Sequence, residues 1–158
     1  MKLRVVPFVI ILLITTLVAV TGSLFTTTGL IGWYPTLNLP AWTPDGGFIG
    51  IMWTLIYVLT ATSAILAWHA MRHSHKLRFL VWLFLANAIL NVLWSFIFFE
   101  KQAIAASIVD MLILNITTIA LVLLIWPFQR LAAILLFPYI GWVSFATYLA
   151  YSVWVLNS

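Results

Sequence analysis

VVPFVIILLITTLVAVTGSLF, residues 5–25, runs for about 20 positions without a charged side chain, the length a helix needs to cross the hydrocarbon core of a bilayer. Four more such runs follow, at about 48–70, 79–99, 103–126 and 131–157, each set off by basic, proline or glycine punctuation. The chain of 158 residues is 65% hydrophobic and 6% charged, too little charge to cover the surface of a soluble domain. The expectation is an all-α membrane protein, a single domain over 1–158 built as a bundle of five transmembrane helices.

Charge sets the expected orientation. With five spans, Lys2, Arg4, Arg72, Lys76, Arg78 and Arg130 fall on one side of the membrane and Lys101 alone on the other. This asymmetry places the N-terminus in the cytoplasm and the C-terminus outside. The net charge of +4 therefore reads as topology; basic residues scattered between apolar runs form no stripe for nucleic acid. Met1 to Arg4 and the run after it resemble a secretory signal, but the run is long and Ala19-Val20-Thr21 is a poor cleavage site, so a retained first helix is expected.

Enzyme chemistry has little to draw on. The only acids are Asp45, Glu100 and Asp110, and there is no cysteine, which excludes disulfides and thiolate metal sites. His69 and His73 have i, i+4 spacing, yet Arg72, Lys76 and Arg78 beside them repel a cation, so no metal is expected. Asp110 lies about two turns into the fourth span, where a carboxylate must be protonated, wet or held by donors; a structural or ligand-polarising role is expected ahead of proton coupling.

The segment Thr26 to Gly47, TTTGLIGWYPTLNLPAWTPDGG, has three prolines among several glycines, and apolar residues such as Trp33, Tyr34 and Trp42. It is expected to be a long loop folded as a lid over the outer end of the bundle. In the third span Asn87, Asn91 and Ser95 share a face at i, i+4, i+8, with Trp94 beside them. Buried carboxamides turn inward, either to bond neighbouring helices or to face a ligand. Trp68, Trp82, Trp126 and Trp154 lie near span ends and read as an interfacial belt. Trp53 with Tyr57 in the second span, and Tyr139, Trp142 and Ala146 in the fifth, form inward stripes near the lid. Pro138, able to kink its helix, and Gly141 beside small Ala146 suggest a cavity with Trp53 and Trp142 on opposite walls.

These residues resemble the TspO/MBR family, the tryptophan-rich sensory and translocator proteins that include the peripheral-type benzodiazepine receptor. The resemblance rests on Gly22-Ser23; on Trp33-Tyr34 with Pro40 and Pro44; on Trp53 with Tyr57; on Asn91-Val92-Leu93-Trp94-Ser95 with Phe98-Phe99; and on Pro138 to Trp142 followed by Phe145-Ala146-Thr147 and Leu156-Asn157. It implies a five-helix bundle, often a homodimer, in the cytoplasmic membrane of a bacterium. It implies a pocket under the first loop for porphyrins such as protoporphyrin IX and, in some members, for sterols and synthetic benzodiazepine-type ligands. The residues carried over are Trp33, Tyr34, Pro40, Pro44, Trp53, Tyr57, Asn91, Trp94, Trp142 and Ala146, with Asn87 more loosely.

The sequence departs from the family at Ala150, where asparagine commonly stands. The proposed sterol pattern also fails, since no tyrosine has a basic residue within the five positions after it. A flat apolar macrocycle with propionates suits a pocket of indole and phenol rings with a few carboxamides. The resulting expectation is a tetrapyrrole-binding sensor or transport-type protein with lipid as solvent and no obligatory cofactor. The alternatives are an enzyme-like, light-dependent porphyrin degradation in which Trp53 and Trp142 relay the excited state, and a membrane scaffold acting through partner helices.

Overall fold

The computed structural model describes residues 5–158, so Lys2 and Arg4, used above for orientation, lie outside the described residues. Its elements are α1 (Val5–Gly32), α2 (Gly46–Met71), α3 (Leu77–Ser95), α4 (Ile104–Ile125), α5 (Arg130–Ile134) and α6 (Phe137–Leu156). They make five spans long and apolar enough to cross a membrane, the fifth being α5 and α6 together. The bundle alternates direction. At one end, Lys76 of the α2–α3 turn sits 5.8 Å over the Phe128 ring of the α4–α5 turn. At the other, Asn38 of the first loop meets Asn157 at the end of α6. These are called the basic end and the loop end.

The expected loop Thr26–Gly47 is shorter than its sequence suggests, because α1 continues to Gly32 and the irregular connection is residues 33–45. The three threonines do not break the helix because each hydroxyl bonds back to its own helix: Thr26 to Gly22 O, Thr27 to Ser23 O and Thr28 to Phe25 O. Gly29 is a packing glycine rather than a breaker. A Cβ there would lie 2.6 Å from the Phe99 ring, so α1 approaches the end of α3 closely only because the side chain is missing. Gly22 is the second contact, facing Ser95 and Tyr57. These two glycines are the only buried residues of α1. Toward the basic end, α1 is only loosely applied to the bundle.

α3 ends in a single π-helical turn, Phe96–Glu100, that seats Phe98 and Phe99 in the core. α2 begins on Asp45, whose carboxylate accepts from the Phe48 amide at 3.0 Å. The fifth span is interrupted at Leu135–Leu136, and Pro138 falls in the first turn of α6, where its missing N–H costs nothing. The interruption thus falls ahead of Pro138, and Gly141 does not open a gap: it is exposed on the outer face, with nothing near a Cβ.

Two apolar clusters divide the core by depth. The one at the basic end joins Ala67, Met71, Leu80, Leu121, Ala132 and Leu136, and is fastened by the Ser63 hydroxyl donating to Ala132 O at 2.7 Å. The one at the loop end holds the aromatic residues. Cysteines at Thr36 and Ser74 test the orientation that the basic asymmetry predicts: an impermeant thiol reagent applied to intact cells should label Thr36→Cys, and labelling of Ser74→Cys alone would reverse it.

Candidate ligand site

Between the two clusters lies a hydrogen-bonded partition. The Tyr57 hydroxyl donates to Asn91 Oδ1 at 2.9 Å, and Asn91 Nδ2 donates to the Tyr139 hydroxyl at 2.9 Å. Tyr139 in turn donates to Asn87 Oδ1 at 3.2 Å, and Asn87 Nδ2 donates to Thr117 and Thr118, each at 2.9 Å. One directional chain thus ties α2, α3, α6 and α4. The stripe read from the sequence is real, since Asn87, Asn91 and Ser95 are all buried. Asn87 and Asn91 spend their hydrogen bonds on other helices.

Above the partition, toward the loop, rings are layered. Trp53 stacks on Tyr57 at 5.8 Å and on Trp94 at 6.0 Å, and Trp94 stacks on Phe98 at 5.7 Å. Tyr139 meets Trp53 edge-on, while Trp142 packs on Phe48 and Phe145. The loop closes over them: Trp33 lies edge-on to Phe98, Tyr34 lies against Phe98 and Phe99, and Trp42 stacks on Tyr148 at 5.5 Å. Burial holds the Tyr34 phenol above its ordinary pKa, so it stays neutral. Pro40 accepts from the Thr43 amide and hydroxyl in a tight turn, and Pro44 leads into the Asp45 cap. Asn157 clamps the loop by accepting from the Asn38 amide at 2.9 Å and donating to Asn38 O at 3.0 Å. Ala146 packs at the edge of this layer.

Two polar atoms in the layer have no partner. The indole nitrogens of Trp94 and Trp142 are buried without an acceptor. Asp110 is buried on α4, and its Oδ2 also lacks a partner. An N–H stripped of water and left unbonded costs about 1–3 kcal/mol, so both indoles are primed to donate to a ligand.

Below the partition, toward the basic end, α1, α2 and α3 line a half-open, largely apolar cavity of about 430 Å³. Of the sequence-derived site residues, Tyr57, Asn87 and Asn91 reach it, as its end wall, together with Tyr139. Trp33, Tyr34, Trp53, Trp94, Trp142 and Ala146 belong instead to the aromatic layer, so the cavity is not the space between Trp53 and Trp142 that the stripes suggested. Trp68 lines this cavity, whereas Trp82, Trp126 and Trp154 are exposed as a belt requires. The cavity carries no sequence signal, because its α1 wall is part of an unbroken apolar run. Among the described residues, no group of three His, Cys, Asp or Glu could hold a metal.

The TspO/MBR family profile matches residues 10–155. The chain is 34% identical to the tryptophan-rich protein TspO of Bacillus cereus over 125 residues, covering 79% of this chain and 80% of that protein. It is 33% identical to the tryptophan-rich protein TspO of Archaeoglobus fulgidus over 138 residues, 87% and 88% of the two chains. To the human translocator protein it is 30% identical over 134 residues, 84% and 79% of the two chains. With five apolar spans, a tryptophan-lined layer at the loop end and matches over most of its length, the chain is an integral membrane protein that belongs to the TspO/MBR family.

Proposed function

We propose that this protein binds a tetrapyrrole of the protoporphyrin type in the aromatic layer beneath the 33–45 loop, and acts as a membrane sensor or transport-type regulator. The observation that carries the reading is the pair of buried, unpartnered indole donors, Trp94 and Trp142, set among flat rings. A porphyrin offers what they lack: a flat apolar body to stack on Trp53 and Trp142, and carboxylate oxygens to accept from the two N–H groups. The name of the human relative, translocator protein, agrees with a transport-type role.

Entry requires the loop to lift, since its rings cover the layer. Asn157→Ala removes both ends of the clamp on Asn38 and should speed protease cleavage of the free loop. Saturating porphyrin should restore protection in wild type and variant alike; unchanged cleavage with ligand would count against the lid.

The test of the reading is a titration of purified protein in detergent with protoporphyrin IX, in darkness and then in light. A saturable shift of the porphyrin absorption with quenching of tryptophan emission is expected in the dark, and its absence would overturn the reading. Light separates the second reading, photodegradation, for which Trp94, Trp53 and Tyr57 supply a continuous stack of oxidisable rings. On that reading Trp53→Phe or Trp142→Phe weakens binding by about 1 kcal/mol but slows porphyrin loss far more. Equal loss in wild type and variants would leave binding alone.

A further inference from the structure

The 430 Å³ cavity lies outside the aromatic layer and has the dimensions of a lipid chain. It runs from Trp68 to Tyr57 along α2 and from Leu80 to Asn91 along α3, eleven residues on each and therefore roughly 16 Å. One leaflet of the hydrocarbon core is about 15 Å deep. Its far end is shut by the bonded partition of Tyr57, Asn91, Tyr139 and Asn87, whose polar groups are spent on one another. Its sides are apolar, from Ile10 and Ile14 of α1 to Ala88 of α3, apart from Thr15, whose hydroxyl bonds back to Ile11 O, and the Thr60 hydroxyl, which has no partner.

The near end opens one helical turn from the strongest positive charge in the molecule. Trp68 precedes Arg72 by four residues, and Leu80 follows Lys76 by four and Arg78 by two; all three cations are exposed. Asp45 and Glu100 are at the loop end and Asp110 is inside α4, so no acid neutralises this turn. The space exists because α1 touches its neighbours tightly only at Gly22 and Gly29, beyond the partition, and stands away from α3 between Val6 and Val18.

We propose that this slot is a binding site for one anionic phospholipid of the leaflet at the basic end, with an acyl chain between α1 and α3 and its phosphate on Arg72, Lys76 and Arg78. The chain fills what would otherwise be a void in the bundle, and the basic turn selects the headgroup. This site is separate from the tetrapyrrole layer and does not rest on that reading.

Native mass spectrometry of the detergent-purified protein, titrated with dioleoyl phosphatidylglycerol, dioleoyl phosphatidylcholine and dihexanoyl phosphatidylglycerol, tests it. One dioleoyl phosphatidylglycerol should be retained at least about tenfold more tightly than either other lipid. Ala88→Phe, which fills the slot, should weaken it about tenfold, and Arg72→Gln with Lys76→Gln and Arg78→Gln should abolish the preference over phosphatidylcholine. Equal affinity for the two headgroups, equal affinity for the short-chain lipid, or wild-type retention by Ala88→Phe would overturn the proposal. So would displacement by sn-glycerol 3-phosphate, which would assign the site to phosphate alone. Helical circular dichroism checks each variant, with Val81→Phe replacing Ala88→Phe if that variant does not fold; the lipid comparisons on wild type need no substitution.

Discussion

Gly29→Ala should lower the thermal midpoint of the detergent-solubilised protein more than any other single methyl added to α1. The new Cβ would lie 2.6 Å from one Phe99 ring carbon and 2.7 Å from its Cβ, and Phe99 is itself buried against Tyr34 and Trp94. The ring has no open space to move into, so the helices must separate, an overpacking cost of about 1–3 kcal/mol. Gly32→Ala is the control, since a Cβ there meets nothing within 4 Å. Gly22→Ala falls between, its nearest neighbour being Ser95 Oγ at 3.4 Å. A Gly29→Ala midpoint equal to that of Gly32→Ala would mean that α1 is not seated where the structure puts it.

Asn91→Leu should be as damaging by a different route. Leucine keeps the branched heavy-atom shape but removes both the acceptor of the Tyr57 hydroxyl and the donor to Tyr139. The Tyr57 hydroxyl is then left without a partner in an apolar interior, at about 1–3 kcal/mol in a soluble core and about 0.6–1.7 kcal/mol by the weaker membrane scale, while Tyr139 loses a donor but keeps its bond to Asn87. A loss of about 2 kcal/mol is expected, read from thermal unfolding in detergent. Tyr57→Phe removes the partner as well and should recover part of the loss in the Asn91→Leu background. Purely additive losses would show that the two side chains are not bonded.

The five spans were legible because the membrane forces long apolar runs and punishes charge within them. The asparagine stripe was legible for the same reason, since carboxamides at helical spacing have only the interior to face. What the sequence concealed were features fixed by packing across helices. Gly29 and Gly32 look alike in sequence, yet one touches Phe99 and the other touches nothing, which is why α1 runs on past the expected start of the loop. The π-helical turn at Phe96–Glu100 has no compositional mark. Trp68, read as a belt residue from its place near a span end, also lines the slot beside α1. The stripes of Trp53 and Trp142 lead to one aromatic layer, but the open space lies on the other side of the Tyr57–Asn91 partition, and no single-helix pattern reports a gap between helices.

The departure at Ala150 acquires a physical meaning: the residue is buried in the same apolar cluster as Met111, Leu114 and Val153, where a methyl group needs no polar partner. The absence of a tyrosine-linked basic residue stands apart from the phospholipid slot, whose cations lie on the α2–α3 turn.

The tetrapyrrole reading requires Trp94 and Trp142 to donate their buried indole N–H groups to the ligand under the loop. The most direct measurement is the dissociation constant of protoporphyrin IX in darkness for wild type against the double variant Trp94→Phe, Trp142→Phe, which keeps apolar rings and removes only the donors and part of the stacking area. With each donor worth about 1 kcal/mol, binding should weaken by roughly tenfold or more, while helical content is unchanged. A double variant that binds as tightly as wild type would place the ligand elsewhere and contradict the account.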